Sequence, residues 1–201
     1  MGLMPRHITS HGGRTRDTIL RAAADLASVE GLDGLSIGRL ATELAMSKSG
    51  LFAHFGSKQD LQLATIEEAR QRYAREVIAP ALATAAGITR LHGLCEAFLS
   101  YVERGVFPGG CFFVAASAEV GAQAGRVHDE VARAQQQWRD LLAQEARTAA
   151  GKGELPDGTD PAQLAFELGV ILAGTNIVSV LHDDHHAISR ARTAIRTRLT
   201  G

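Results

Sequence analysis

Between Ser36 and Lys58 lie two amphipathic segments, each too short to stand alone, that meet at a tight break. This pairing constrains the chain more than any other feature. Ile37, Leu40, Ala41 and Leu44 recur at i, i+3, i+4 and i+7, one buried stripe of a helix with Ser36 as its N-cap. A second helix starts at Ser47, again an N-cap residue type, and keeps Met46, Leu51 and Phe55 for the interior. Lys48, Ser49, Phe52, Ala53 and His54 then face outward. Helix nucleation is unfavourable, so a helix of about two turns has to be braced by neighbours. The brace lies upstream, where Thr15 to Glu30 carries Ile19, Ala23, Leu26 and Ala27 at helical spacing and stops at Gly31, before Asp33-Gly34 turns the chain. Three helices on such short links fit either a compact head whose last helix enters a DNA major groove or three core helices of another all-α fold.

The run Leu40-Ala41-Thr42-Glu43-Leu44-Ala45-Met46-Ser47-Lys48-Ser49-Gly50-Leu51-Phe52-Ala53-His54-Phe55-Gly56-Ser57-Lys58 closely resembles the signature of the TetR family of transcriptional regulators. The likeness extends upstream to about Arg14, and Gly110-Cys111-Phe112-Phe113-Val114-Ala115-Ala116 is similar to one subgroup of that family. It implies an all-α fold: a three-helix helix-turn-helix head over residues 1–57, of which 1–13 form a flexible tail, joined by a long helix to a ligand-binding and dimerisation domain over 58–201. It also implies a regulator, most simply a repressor, that binds a palindromic operator as a homodimer and is released by a small molecule.

Carried onto this chain, the resemblance assigns Ser36, Ser47, His54 and Lys58 to phosphate anchoring and Lys48 and Ser49 to base reading, with Gly50 permitting close approach to the duplex. Two positions depart from the family pattern. Ala45 stands where a glycine is common, so a positive φ there carries strain. Phe52 stands where a tyrosine is more common, which removes a hydroxyl that reaches phosphate in the resembling proteins and leaves apolar contact, for instance to a thymine methyl.

Charge alone does not point to DNA. The 201 residues carry a formal net charge of -1, and 45% are hydrophobic, enough for a sizeable core. Residues 1–60 balance to +1 and the remainder to -2, which leaves room for focused phosphate contacts but not for a polybasic coat. Arg6, Arg14 and Arg16 fall in or beside the expected tail. The longest apolar stretch, Leu168 to Leu181, is interrupted by Gly174, Thr175, Asn176 and Ser179, so no membrane partner and a cytoplasmic location are expected. Cys95 and Cys111 read as reduced core residues.

Beyond Lys58 the pattern is helical throughout. Ser57, with Asp60 three residues on, starts a helix running through Leu61, Ala64, Ile66 and Tyr73 toward Pro80, a continuous lever joined to the head. Further helices are expected over 88–104, 110–120 and 123–150. The last of these carries Val127, Val131, Ala134, Trp138, Leu141 and Glu145 on one face. Asp160-Pro161, followed by Gln163, opens a helix to His182 that is apolar nearly all round, and Ile188, Ala191, Ile195 and Leu199 form a final stripe. Leu168, Gly169, Ala173, Ile188, Ala191 and Ile195 are the candidate dimer interface, in a four-helix bundle of twofold-related copies. Candidate ligand-pocket residues are Phe98, Tyr101, Phe112, Phe113, Trp138, Leu172 and Asn176, which suit a mostly apolar or aromatic effector.

One cluster invites a different chemistry. His182-Asp183-Asp184-His185-His186, with His128, would be the ligand set of a metal-dependent hydrolase or metal sensor, against its reading as a solvated link with Asp184 as an N-cap. The chain has no GxSxG elbow, Walker loop, paired CxxC or zincin motif, so the sequence supports no enzyme and implies no cofactor or structural metal.

Overall fold

The computed structural model describes residues 11–201, with side chains from Thr15 onward. Most of the expected tail, with Arg6 and the Arg14 side chain, lies outside the described residues. Helix α1 (His11–Gly34) breaks at Gly31, whose φ of 81° and ψ of 164° leave the helical region. The first helix therefore stops where glycine was expected to stop it, and a further turn carries the chain to Ser36.

Helices α2 (Ile37–Glu43) and α3 (Lys48–Phe55) start at the expected serines. Ser36 Oγ accepts the Arg39 N–H and Ser47 Oγ accepts the Gly50 N–H, both at 3.1 Å. Each bond satisfies one of the orphan donors of a helix start. Leu40, Ala41, Leu51 and Phe55 are buried, and Ile37, Leu44 and Met46 pack against them. Arg16 belongs to α1 rather than to a tail, and its guanidinium lies 5.2 Å from the centroid of the Phe55 ring. Ala45, in the turn between α2 and α3, has φ of 51°, the left-handed conformation in which a Cβ is crowded.

Ser57 caps α4 (Lys58–Tyr73), accepting the Asp60 N–H at 3.1 Å and donating to Asp60 Oδ2 at 2.6 Å. The long lever is not one uninterrupted α-helix. A π-helical turn spans Ala74–Ile78 before α5 (Ala79–Leu82). Pro80 has no N–H to return to Glu76, and its ring crowds that carbonyl, so regular α-helix could not run through it unchanged.

The body comprises α6 (Ile88–Glu103), α7 (Phe112–Val120), α8 (Arg126–Gly151), α9 (Pro161–His182) and α10 (His186–Thr200). Helix α9 packs on α8 and α10; α7 bridges α1 and α8; α4 lies against α1 and α8. Asp160 caps α9 through Ala162 N–H at 2.8 Å, whereas Gln163 turns to Glu167 at 3.0 Å instead of completing the cap. By length and composition α9 would suffice to cross a membrane. Here it is half a core helix, with Leu164, Ala165, Leu168, Leu172, Thr175 and Asn176 buried.

Replacing Ala45 by glycine should relieve a left-handed cost of roughly 1–2 kcal/mol, partly offset by the roughly 0.5–1 kcal/mol of extra chain entropy that glycine loses. The expected net gain of about 1 kcal/mol corresponds to a rise in Tm of about 2–4 °C for a chain of this size. Thermal unfolding followed by circular dichroism measures it, and an unchanged or lower Tm would show the turn to be unstrained.

Candidate functional site

The outer face of α3 is turned to solvent. Lys48, Ser49, Phe52 and Ala53 are exposed, Phe52 at 54% despite its size, while Leu51 and Phe55 point inward. His54 is half-buried in the last turn, its ring tilted at 52° to Phe55 with centroids 6.2 Å apart. Two of the expected anchors already have local work, since the hydroxyls of Ser36 and Ser47 cap helices and Ser47 Oγ lies 3.4 Å from Ser49 Oγ. Gly50 has a local reason beyond approach to a duplex. A Cβ there would come 3.0 Å from the capping Ser47 Oγ, closer than most real contacts.

Lys58 also has local partners. Its Nζ donates to the Asp33 carbonyl at 2.7 Å and lies 3.9 Å from the Asp33 carboxylate, so it ties α4 to the turn ahead of Ser36. Gln62 Nε2 donates to the neighbouring Leu32 carbonyl at 2.8 Å.

A cavity of about 290 Å³ opens between α4, the π turn, α6, α7, α8 and α9. Four expected residues line it: Phe98, Phe113, Trp138 and Leu172. Three do not. Tyr101 is 1% exposed and lies behind the wall, its ring edge-on to Tyr73 at 5.5 Å. Phe112 packs into the core against Phe107 at 5.8 Å. Asn176 Oδ1 accepts the Cys111 N–H at 2.7 Å and crowds Gly110, where a Cβ would meet it at 2.5 Å, so this amide fixes the loop into α7 instead of facing a ligand.

The polar lining that sequence reading missed comprises Arg70, Tyr73, Gln135 and Gln137. The two glutamines lie between Ala134 and Trp138 of the apolar stripe, which was the available clue. Both Gln135 amide hydrogens are committed, to Phe113 O at 3.0 Å and Ser117 Oγ at 2.9 Å, so its oxygen is what remains for a ligand. Arg70 is held by Glu67 through two bonds of 2.8 Å, which raise the guanidinium pKa and lower that of the carboxyl. Cys111 also lines the cavity, but burial pushes its thiol up, and Cys95 is pushed up to about 12. Both therefore stay protonated at neutral pH and are poor nucleophiles.

A second hollow, about 410 Å³, adjoins the first across Gln135, Trp138, Gly169 and Ala173 and opens beside Phe166 and Val170. These two belong to an exposed apolar stripe of α9 that continues through Ile177 and Leu181. Of the expected dimer residues, Leu168, Ile188, Ala191 and Ile195 are buried within the protomer itself, and only Gly169 and Ala173 remain partly open. Alternation along a helix could not say which of two apolar faces α8 and α10 would cover.

The histidine cluster does not gather. Asp183 is the left-handed C-cap of α9, Asp184 accepts the His186 N–H at 2.9 Å and pairs with Arg190 at 2.9 Å, and His128 pairs with its neighbour Asp129. Among the described residues no three His, Cys, Asp or Glu side chains converge as a metal site. The ligand set of the metal-dependent reading is thereby dispersed.

Residues 19–65 match the family described as bacterial regulatory proteins, tetR family, and residues 87–195 match the tetracyclin repressor-like C-terminal domain. The chain belongs to the TetR family. Like other TetR proteins it is a transcriptional regulator with a DNA-binding helix-turn-helix and not an enzyme. None of the curated proteins matches it. In fold it is similar to a TetR transcriptional regulator from Chloroflexus aurantiacus, with a TM-score of 0.84 at 22% identity over 92% of this chain and 94% of the other. A TetR-family regulator from Cytophaga hutchinsonii gives a TM-score of 0.81 at 18% identity, covering 94% and 95%. AibR, solved with isovaleryl coenzyme A and operator DNA, gives 0.71 at 20% identity, covering 90% and 96%.

Proposed function

We propose that this TetR protein is a cytoplasmic, homodimeric repressor that binds a palindromic operator and is released by an uncharged, mostly apolar or aromatic effector. The head occupies residues 1–57 and the ligand-binding and dimerisation domain 58–201. The observation that carries this reading is the outer face of α3, where Lys48, Ser49 and Phe52 are exposed to solvent while Leu51 and Phe55 anchor the helix from behind. Lys48 and Ser49 are the base readers; Ser36, Ser47, His54 and Lys58 contact phosphates, the serines with lone pairs and protons left over from capping. Phosphate contacts set register and base-edge contacts set sequence. AibR, of the same fold, binds operator DNA and an acyl coenzyme A, which supports duplex and small molecule as the two partners.

A single short helix reads few base pairs, so a second copy is needed, with half-sites about 34–36 Å apart or a multiple of that. The stripe Phe166, Val170, Ile177 and Leu181 supports α9 as the pairing face, with Gly169, Ala173 and Gly174 letting the helices approach. At Gly169 and Gly174 even an added Cβ would meet nothing. A copy seated there also covers the outer hollow, and α9 then needs no membrane.

The effector's charge follows from Arg70, the single ionised group among the described lining residues, which Glu67 already neutralises. An anion entering the cavity would lose its hydration without gaining a free cation. Trp138, the chain's one tryptophan, lines the cavity and reports on its occupancy. Naphthol should quench Trp138 at concentrations roughly tenfold below naphthoate. Glu67→Gln, which frees Arg70, should narrow or reverse that order. Tighter naphthoate binding by the native protein overturns the uncharged-effector reading.

Selection of bound duplexes from a random pool tests DNA binding and symmetry together, with an inverted repeat as the expected product. On the recovered duplex, Lys58→Ala should weaken binding about equally across sequences and reduce the slope of log K against log salt by roughly 0.9 per lost contact. An unchanged slope removes Lys58 from the phosphate set. Val170→Glu should convert the dimer to a helical monomer in light scattering and abolish tight duplex binding. A Val170→Glu protein that stays dimeric places the interface elsewhere.

A further inference from the structure

We propose that Glu119 is the residue that positions the head, coupling the ligand cavity to the recognition helix through α7. The proposal rests on the DNA-reading role of α3 given above. Helix α7 has two ends with different neighbours. Near its start Phe113 and Val114 line the cavity; at its far end the Glu119 carboxylate accepts the Leu32 N–H at 2.7 Å and the Asp33 N–H at 2.5 Å. Two consecutive backbone donors on one carboxylate make a forked, charge-assisted contact. These amides belong to the turn after the Gly31 break, three or four residues ahead of the Ser36 cap that starts α2.

The chain is shaped for this contact. Gly31 has a φ of 81°, and a Cβ there would lie 2.9 Å from Glu119 Oε2, so glycine supplies both the break in α1 and the room for the carboxylate. Gln62 and Lys58 of α4 hold the carbonyls of the same two residues, Leu32 and Asp33. The turn is thus gripped from both sides, its N–H groups by the helix that walls the cavity and its carbonyls by the helix that follows α3. Any shift of α7 relative to α4 has to lengthen one set of bonds.

The other end of α7 is tied to the cavity with equal economy. Gln135 of α8 donates to Phe113 O and Ser117 Oγ, and Trp138 lies one turn further along α8. A molecule wedged between Phe113 and Trp138 therefore loads α7 directly. This route does not pass through the π turn at Ala74–Ile78, where the α4 lever is interrupted. A ligand shifts an equilibrium only by its differential affinity for the two states, and a rigid helix with bonds at both ends gives the two sites a shared pair of states.

The test compares native protein with Glu119→Gln and Glu119→Ala, the first keeping the shape and hydrogen bonding to one amide if the second folds poorly. Hydrogen exchange should speed up roughly tenfold or more at both Leu32 and Asp33 in Glu119→Ala and at one of the two in Glu119→Gln, with α8 amides unchanged. On the duplex recovered by selection, affinity should fall roughly tenfold. The decisive reading is Trp138 emission with and without saturating duplex. It should shift in the native protein and stay constant in Glu119→Gln, which a merely destabilising substitution would not produce. A shift that persists in Glu119→Gln at saturation, or a native Trp138 indifferent to duplex, overturns the coupling. If the native protein binds no duplex, the DNA-reading role fails instead, and the exchange rates of Leu32 and Asp33 still decide whether Glu119 holds the turn.

Discussion

A helix of eight residues cannot persist in water on its own, and everything this protein does with α3 depends on its being held from one side only. Leu51 and Phe55 enter the core, Ser47 closes the first turn, and the Arg16 guanidinium covers the Phe55 ring from α1. The cost of ordering the helix is met by burial behind it, so its front needs no packing partner and stays free for a duplex. Ala45 keeps the turn before α3 tight at the expense of a left-handed backbone, a local strain tolerated because the buried residues on either side fix the geometry.

Head and body are joined by more than the helix that connects them in sequence. Glu119, Gln62 and Lys58 converge on Leu32 and Asp33, while Arg72 pairs with Asp25 at 2.5 Å and lies over the Phe107 ring at 4.3 Å. Gly109 packs so closely on Ser28 that a Cβ would overlap its carbonyl, and its N–H donates to Ser28 Oγ at 3.1 Å. These contacts make the loop before α7, and α7 itself, part of the head's support. The cavity lies at the other end of the same helix, where Phe113 and Val114 line it.

Much of the local structure could be read in advance because it depends on neighbours within four residues. The serines at 36, 47 and 57 and Asp160 cap as expected, Gly31 breaks α1, and Ala45 takes the positive φ. Less legible were the side chains that had two candidate faces. Tyr101 and Asn176 looked like ligand handles because they are polar on apolar helices, yet one is walled in by aromatic rings and the other secures the backbone of Cys111. Leu168, Ile188, Ala191 and Ile195 looked free to pair with a second copy, yet α9, α10 and α6 use them on each other, and the open residues are Phe166 and Val170. The lever, expected to be continuous, acquires a π turn six residues ahead of Pro80.

The order of residues by itself determined the all-helical class, the positions of the helix starts, and the motif that marks the family, because capping, periodicity and turn preference act over a few residues of contiguous chain. Which apolar face is covered, which aromatic rings border an empty volume and which carboxylate reaches the turn at Leu32 were decided only by tertiary structure. Those contacts link residues as far apart as Glu119 and Leu32, 87 positions along the chain, and no local preference contains information about a partner at that distance.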